Sequence, residues 1–128
     1  MRVLHLEDNA MKQAAIQRVL SRGGVTEVVW EKNVADGIEA VEDSIMDHTT
    51  FDLIITDMHY PVKSGAKAEW DAGEQFIAKM QAKKIQTPII VCSSLNEKIP
   101  NIYGNVWYQE NRDWESKLLD LIKKLQWN

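Results

Sequence analysis

The chain reads as an α/β protein built on a doubly wound parallel sheet. Three observations carry that reading. Short apolar runs alternate with stretches of helical period along the chain. The runs at 53–55 and 89–92 are apolar at every position rather than at every second one, as expected of central parallel strands buried on both faces. Acidic residues close two of the runs, Glu7-Asp8 the first and Asp57 the third. Strands alternating with helices of this length need right-handed crossovers, which produce one parallel sheet covered by helices on both sides.

The elements follow in order. Residues 3–6 form the first strand. Met11, Ala15 and Val19 recur at four-residue spacing with Ile16 and Leu20 beside them, which predicts a helix capped by Asn9 and stopped by Gly23-Gly24. Residues 25–30 form the second strand. Val34, Ile38, Val41 and Ile45 make the next helical stripe, opened by Asn33. Residues 53–56 form the third strand, and Phe76, Ile77 and Met80 mark the helix after it. Strands at 89–92 and 106–108 follow. Trp114, Leu118, Leu121, Ile122 and Leu125 give the last helix, the clearest of the four. Two stretches break the rhythm. The loop from 58 to 72 is long and carries Pro61, Lys63, Gly65, Lys67 and Trp70. The stretch 95–105 contains Pro100 and Gly104 and has room for one or two helical turns at most, so the fourth crossover is abbreviated.

Composition narrows the function. A chain of 128 residues fits one domain with one core, residues 1–128. Net charge is −4 and neither half carries a basic stripe, so direct nucleic-acid binding is not expected. The apolar runs are too short for a membrane span, and Met1 leads straight into the first strand, leaving no room for a signal peptide. Cys92, the one cysteine, cannot form an internal disulfide and sits in an apolar run as a small buried hydrophobe. The expected setting is cytoplasmic.

Glu7, Asp8, Asp57 and Ser93 all fall at predicted strand ends. In a sheet ordered 2-1-3-4-5 the first, third and fourth strands are neighbours, and ligands of such sheets bind outside their carboxyl ends. Three converging carboxylates raise one another's proton affinity unless a divalent cation joins them. Mg2+ suits a site of few oxygen ligands that also takes a phosphoryl oxygen. Asp57 could then attack phosphorus, and Ser93 could donate a hydrogen bond to the product.

Three blocks carry a resemblance: Val-Leu-His-Leu-Glu-Asp-Asn at 3–9, Asp-Leu-Ile-Ile-Thr-Asp-Met-His-Tyr-Pro at 52–61, and Thr-Pro-Ile-Ile-Val-Cys-Ser-Ser at 87–94. Together and in order they resemble the signature blocks of bacterial response-regulator receiver domains. The resemblance implies a flavodoxin-like (βα)5 fold. It also implies phosphotransfer to Asp57 from a sensor histidine kinase or phosphotransfer protein, with the signal passed to a downstream protein. Glu7 and Asp8 match the family's acidic pair, with Asp8 the more direct Mg2+ ligand, and His59 would offer its backbone carbonyl to the metal. Pro61 matches the proline after the phosphoacceptor, and Ser93 the switch hydroxyl.

The departures are as informative. Gln109 stands where receivers carry a lysine that pairs with the phosphoryl group, and Glu110 stands where proline follows. Losing one preorganised electrostatic donor costs about 10²–10³ in rate at comparable sites. Lys63 or Lys67 of the extended loop is one source of a replacement cation, and Trp70 and Trp107 are expected near the site. Without a cation the chain would be a pseudo-receiver, a phosphorylation-independent interaction module. A small enzyme or nucleotide binder is disfavoured, because the first strand-to-helix loop lacks a glycine-rich cradle and His5, His48 and His59 are scattered.

Overall fold

The computed structural model describes residues 1–111 and 113–127. Five parallel strands form the main sheet: β1 (Arg2–Leu6), β2 (Glu27–Glu31), β3 (Leu53–Thr56), β6 (Ile89–Ser93) and β7 (Gly104–Trp107). Their order is β2-β1-β3-β6-β7. The expected 2-1-3-4-5 order is therefore present, with a small two-stranded ribbon inserted after the third strand. The first and last main-sheet strands to leave the core differ from expectation by only a residue or two at their ends.

Four helices cover the sheet: α1 (Ala10–Arg22), α2 (Val34–Met46), α3 (Ala72–Ala82) and α4 (Asp113–Trp127). Alternation along the strands sorts the side chains between two cores. Leu4, Leu6, Ile54 and Val91 face α2 and α3, whose Val41, Phe76, Ile77 and Met80 complete one cluster. Val3, Leu53, Ile55, Ile90 and Cys92 face α1 and α4, where Ile16, Val19, Leu20, Trp114, Leu118 and Ile122 complete the other. None of the helices among the described residues is long and apolar enough to cross a membrane.

Caps and stops behave as local chemistry dictates. The Asn9 side chain accepts from the Lys12 N–H at 2.9 Å, and Asn33 accepts from the Asp36 N–H at 2.8 Å. After α1 the chain reverses through Gly24 at φ +85°, a conformation that a Cβ would strain, and the Val25 N–H returns to the Leu20 carbonyl at 2.9 Å.

Two expected stripes shift. Met11 is 84% exposed and Ile45 49% exposed, although both fit an apolar spacing. The buried face of α1 runs instead through Lys12, Ile16 and Val19. An i, i+4, i+7 stripe with a lysine at its head fits helical geometry as well as one headed by methionine, and hydropathy alone selects the wrong one.

The long stretch after β3 is ordered. It contains an antiparallel ribbon of β4 (Tyr60–Pro61) and β5 (Ala68–Glu69). Tyr60 is fully buried and its hydroxyl lies 2.8 Å from the Thr56 hydroxyl, while the Ala35 N–H donates to the Val62 carbonyl at 2.9 Å. The insertion is stitched to the core rather than draped over it. In the fourth crossover, between β6 and β7, no helical turn forms. A side chain substitutes for the missing secondary structure: the Asn105 amide accepts from the Ile99 N–H at 2.9 Å and donates to the Ile99 carbonyl at 3.0 Å.

Candidate functional site

Register brings the acids together. Leu6 of β1 lies opposite Thr56 of β3, and the Asp57 N–H continues the ladder by donating to the Leu6 carbonyl at 3.0 Å. Glu7 and Asp57 therefore stand side by side, one residue past their strands. The carboxylate oxygens of Glu7, Asp8 and Asp57 lie within 4.8 Å of one another. Ser93 ends β6, next to β3, with its hydroxyl accepting from the Leu95 N–H at 3.1 Å and its own proton left to give. One cavity of about 450 Å³ is lined by these four residues together with His59, Trp70, Leu95 and Tyr108.

The acids are not equivalent. Glu7 is fully buried and Asp8 is exposed, with Asp57 between. The Glu7 backbone is clamped by the Trp30 indole N–H, which donates to its carbonyl at 2.6 Å. Its Oε2 accepts from the Asn9 N–H at 3.1 Å. Burial pushes the Glu7 carboxyl up to about 7, against the pull of Lys12 and with a further push from Asp57. Asp57 Oδ1 accepts from the Met58 N–H at 2.7 Å and lies 3.2 Å from Lys12 Nζ. Among the described residues Oδ2 makes no hydrogen bond, so this oxygen is the one available for chemistry.

Lys12 is the residue that hydropathy and spacing did not single out. It is buried, and its ammonium has one contact on each of the three central strand ends. Nζ lies 3.0 Å from Glu7 Oε1 and 3.2 Å from Asp57 Oδ1, and it donates to the Cys92 carbonyl at 2.8 Å. The Glu7 contact is an ion pair without hydrogen-bond alignment, since Oε1 has no hydrogen-bond partner among the described residues. Burial works against the Lys12 charge, but Glu7 and Asp57 more than offset it and the pKa rises. The ammonium stays charged. Side chains on a helix lean toward its N-terminus, so a lysine in the first turn of α1 reaches back over the strand tips. A cation there opposes the helix dipole, and the neighbouring carboxylates compensate.

Other expected residues fall differently. Gln109 lines an adjoining cavity with Arg18, Trp107, Trp114 and Glu115, and Tyr108, one residue earlier, lines both that cavity and the acidic one. Lys12 Nζ lies 5.2 Å from the centre of the Tyr108 ring. Lys63 and Lys67 are exposed, and neither forms an ion pair among the described residues. The ammonium beside the acids belongs to Lys12 of α1. Trp70 does line the acidic cavity, with its ring 4.2 Å from that of His59, whereas Trp107 lines the neighbouring one and donates to the Ser94 carbonyl at 3.1 Å.

An all-oxygen donor set fits a hard divalent cation such as Mg2+. The buried, unbonded Glu7 Oε1 is the kind of atom such an ion satisfies. The charge balance agrees, because even with Glu7 counted as neutral the carboxylates of Asp8 and Asp57 outnumber the one ammonium.

No protein-family model matches the chain, and no curated protein sequence matches it. Solved structures do. The phosphorylated cyanobacterial phytochrome response regulator RcpA superposes with a TM-score of 0.69 at 17% identity, over 98% of this chain and 90% of that one. The chemotaxis response regulator CheY4 of Vibrio cholerae gives 0.66 at 20% identity, over 94% and 97%. A variant receiver domain of the histidine kinase CKI1 from Arabidopsis thaliana gives 0.68 at 16% identity, over 99% and 90%. At such identities the likeness establishes the fold: the chain has the flavodoxin-like fold of response-regulator receiver domains.

Proposed function

We propose that this chain is a phosphoryl-accepting receiver module in a phosphorelay, with Asp57 as the acceptor. The observation that carries the reading is the convergence of Glu7, Asp8 and Asp57 within 4.8 Å in a cavity shared with Ser93. Mg2+, held by Glu7, Asp8, Asp57 and the His59 backbone carbonyl, would neutralise negative charge on the incoming phosphoryl group. Oδ2 of Asp57 is the nucleophile, because the Met58 N–H and Lys12 fix Oδ1 and orient the carboxylate. Its lone pair forms the new O–P bond while the bond from phosphorus to the donor imidazole breaks, the electron pair leaving with the imidazole nitrogen. The Ser93 hydroxyl donates to a phosphoryl oxygen of the product while it accepts from the Leu95 N–H, so the new bond ties the phosphoryl group to the start of the 94–103 loop. A phosphate-dependent shift of the 94–103 loop is the route from chemistry to a change in protein contacts.

The donor is the phosphohistidine of a sensor kinase or phosphotransfer protein, and the output is a second protein. Neither nucleic acid nor membrane is a direct partner. The rival reading, a pseudo-receiver that works without phosphate, drew its force from the lysine missing at the end of the last strand. The buried ammonium of Lys12 weakens that ground. Incubation with acetyl phosphate and Mg2+, followed by intact-mass measurement, tests the choice. The wild type should gain one phosphoryl group and Asp57→Asn none. No mass gain in either protein would overturn the reading in favour of the interaction module.

A further inference from the structure

We infer that Lys12 is the cation that pairs with the phosphoryl group on Asp57, so that the first turn of α1 supplies what receivers otherwise place at the end of their last strand. The inference rests on the phosphoacceptor reading and extends it to a residue that neither motif nor spacing marks.

Three observations support it. Position comes first: Nζ stands 3.2 Å from Asp57 Oδ1, on the same carboxylate whose Oδ2 would carry the phosphoryl group. The second is how firmly the side chain is held. Its backbone N–H is held by the Asn9 cap, its stem is buried on the inner face of α1, and its ammonium donates to the Cys92 carbonyl while lying within ion-pair distance of Glu7 and Asp57. A donor so fixed needs little reorganisation when charge develops beside it. Third, the end of β7 carries no cation into the cavity. Tyr108 takes that place, with its ring beside the ammonium, and Gln109 turns into another cavity.

Transfer involves no proton at Lys12. The Asp57 lone pair forms the O–P bond, the bond to the leaving acetate or imidazole breaks with its pair, and the ammonium balances charge on the phosphoryl oxygens throughout. A purely neutralising role, in which Lys12 only offsets buried Glu7, forecasts an unchanged labelling rate, so the rate separates the two, and metal affinity separates both from a loss of site shape. An ammonium 3.2 Å from a metal-binding carboxylate repels the ion, so its removal strengthens metal binding while weakening phosphoryl binding.

The test uses the whole chain as wild type, K12Q, and K12Q combined with Y108K, which returns a lysine to the strand end. Asp57 labelling by acetyl phosphate is followed by intact mass. Mg2+ affinity is read from tryptophan emission, since Trp70 lines the cavity. K12Q should label about 100-fold more slowly, the loss typical of one preorganised donor. It should bind Mg2+ about tenfold more tightly. The double variant should recover most of the rate. K12Q labelling within about threefold of wild type would overturn the inference while leaving Asp57 as acceptor. A joint loss of labelling and Mg2+ affinity would overturn it too, by assigning Lys12 to the shape of the site. Absence of labelling in the wild type itself would remove the phosphoacceptor reading and this one with it.

Discussion

Gly73→Ala examines how tightly the acceptor loop is held. Gly73 sits at the start of α3, and its N–H donates to the Met58 carbonyl at 3.0 Å. A Cβ there would lie 2.3 Å from the Asp57 carbonyl oxygen and 2.9 Å from both Met58 Cα and Sδ. Ordinary contact starts at 3.4 Å, so the methyl group would intrude by about 1 Å into atoms that are mostly backbone and cannot rotate aside. Overpacking costs roughly 1–3 kcal/mol, and the rigidity of this neighbour puts Gly73→Ala near the upper figure. Better helix propensity returns about 1 kcal/mol. The net loss is about 2 kcal/mol, or roughly 6–10 °C in Tm for a domain of this size. Relief of the clash must push Asp57 away from Lys12 and Glu7, so labelling by acetyl phosphate should slow in the same variant. Gly37→Ala is the control. Its Cβ would come within 2.5 Å of Leu6 Cδ2, a methyl that can turn, so its loss should be about half as large and labelling should be spared. Urea unfolding together with intact-mass kinetics decides the matter. A Gly73→Ala protein with the wild-type midpoint and rate would refute the claim that α3 wedges the acceptor in place.

Two further outcomes follow from buried polar groups. His5 lies in the core with neither ring nitrogen hydrogen-bonded among the described residues, and burial, helped by Lys12, lowers its pKa from 6.5 to about 3. A folded pKa below the unfolded one means stability that is present above pH 6.5 and is lost as the pH falls, by about 2 kcal/mol between pH 7 and pH 5. Glu7 acts in the opposite sense over the same range, because its folded pKa is raised, so the wild-type curve alone hides the effect. The stability of His5→Leu relative to wild type should therefore improve by that amount between the two pH values. A difference that stays constant in urea titrations would show that the folded and unfolded proteins bind the His5 proton alike. Asn105→Ala removes both bonds to Ile99 and should cost about 2 kcal/mol, with Asn105→Asp, which retains only the acceptor, losing less of the bracing. Equal midpoints for wild type and Asn105→Ala would mean that the fourth crossover needs no such brace.

Strand order and the placement of Glu7, Asp8, Asp57 and Ser93 were legible in the chain because each depends on local signals. An unbroken apolar run ending in an acid reports both a buried strand and the point where it leaves the core. Caps were legible for the same reason, as at Asn9 and Asn33. Lys12 was not, since a charged residue one turn into a helix ordinarily marks a solvated face, and only the acids brought near by tertiary structure reverse that. Met11 took its place in the expected stripe and lies in solvent. At the end of β7 the difference between Tyr108 and Gln109 is one of direction, fixed by pairing with β6 and invisible in composition. The ribbon within 58–72 was hidden because two-residue strands leave no periodicity to detect.

One consequence comes from the closeness of these groups along the chain. The two acids of the first strand end, the asparagine that starts the helix and the lysine it holds all belong to one continuous bend of the polypeptide. A self-contained bend of this kind can be inherited as a unit. With Lys12 in the role proposed for it, the edge strand β7 carries no electrostatic duty, and its aromatic side chains are free to be reshaped for whatever surface must meet them.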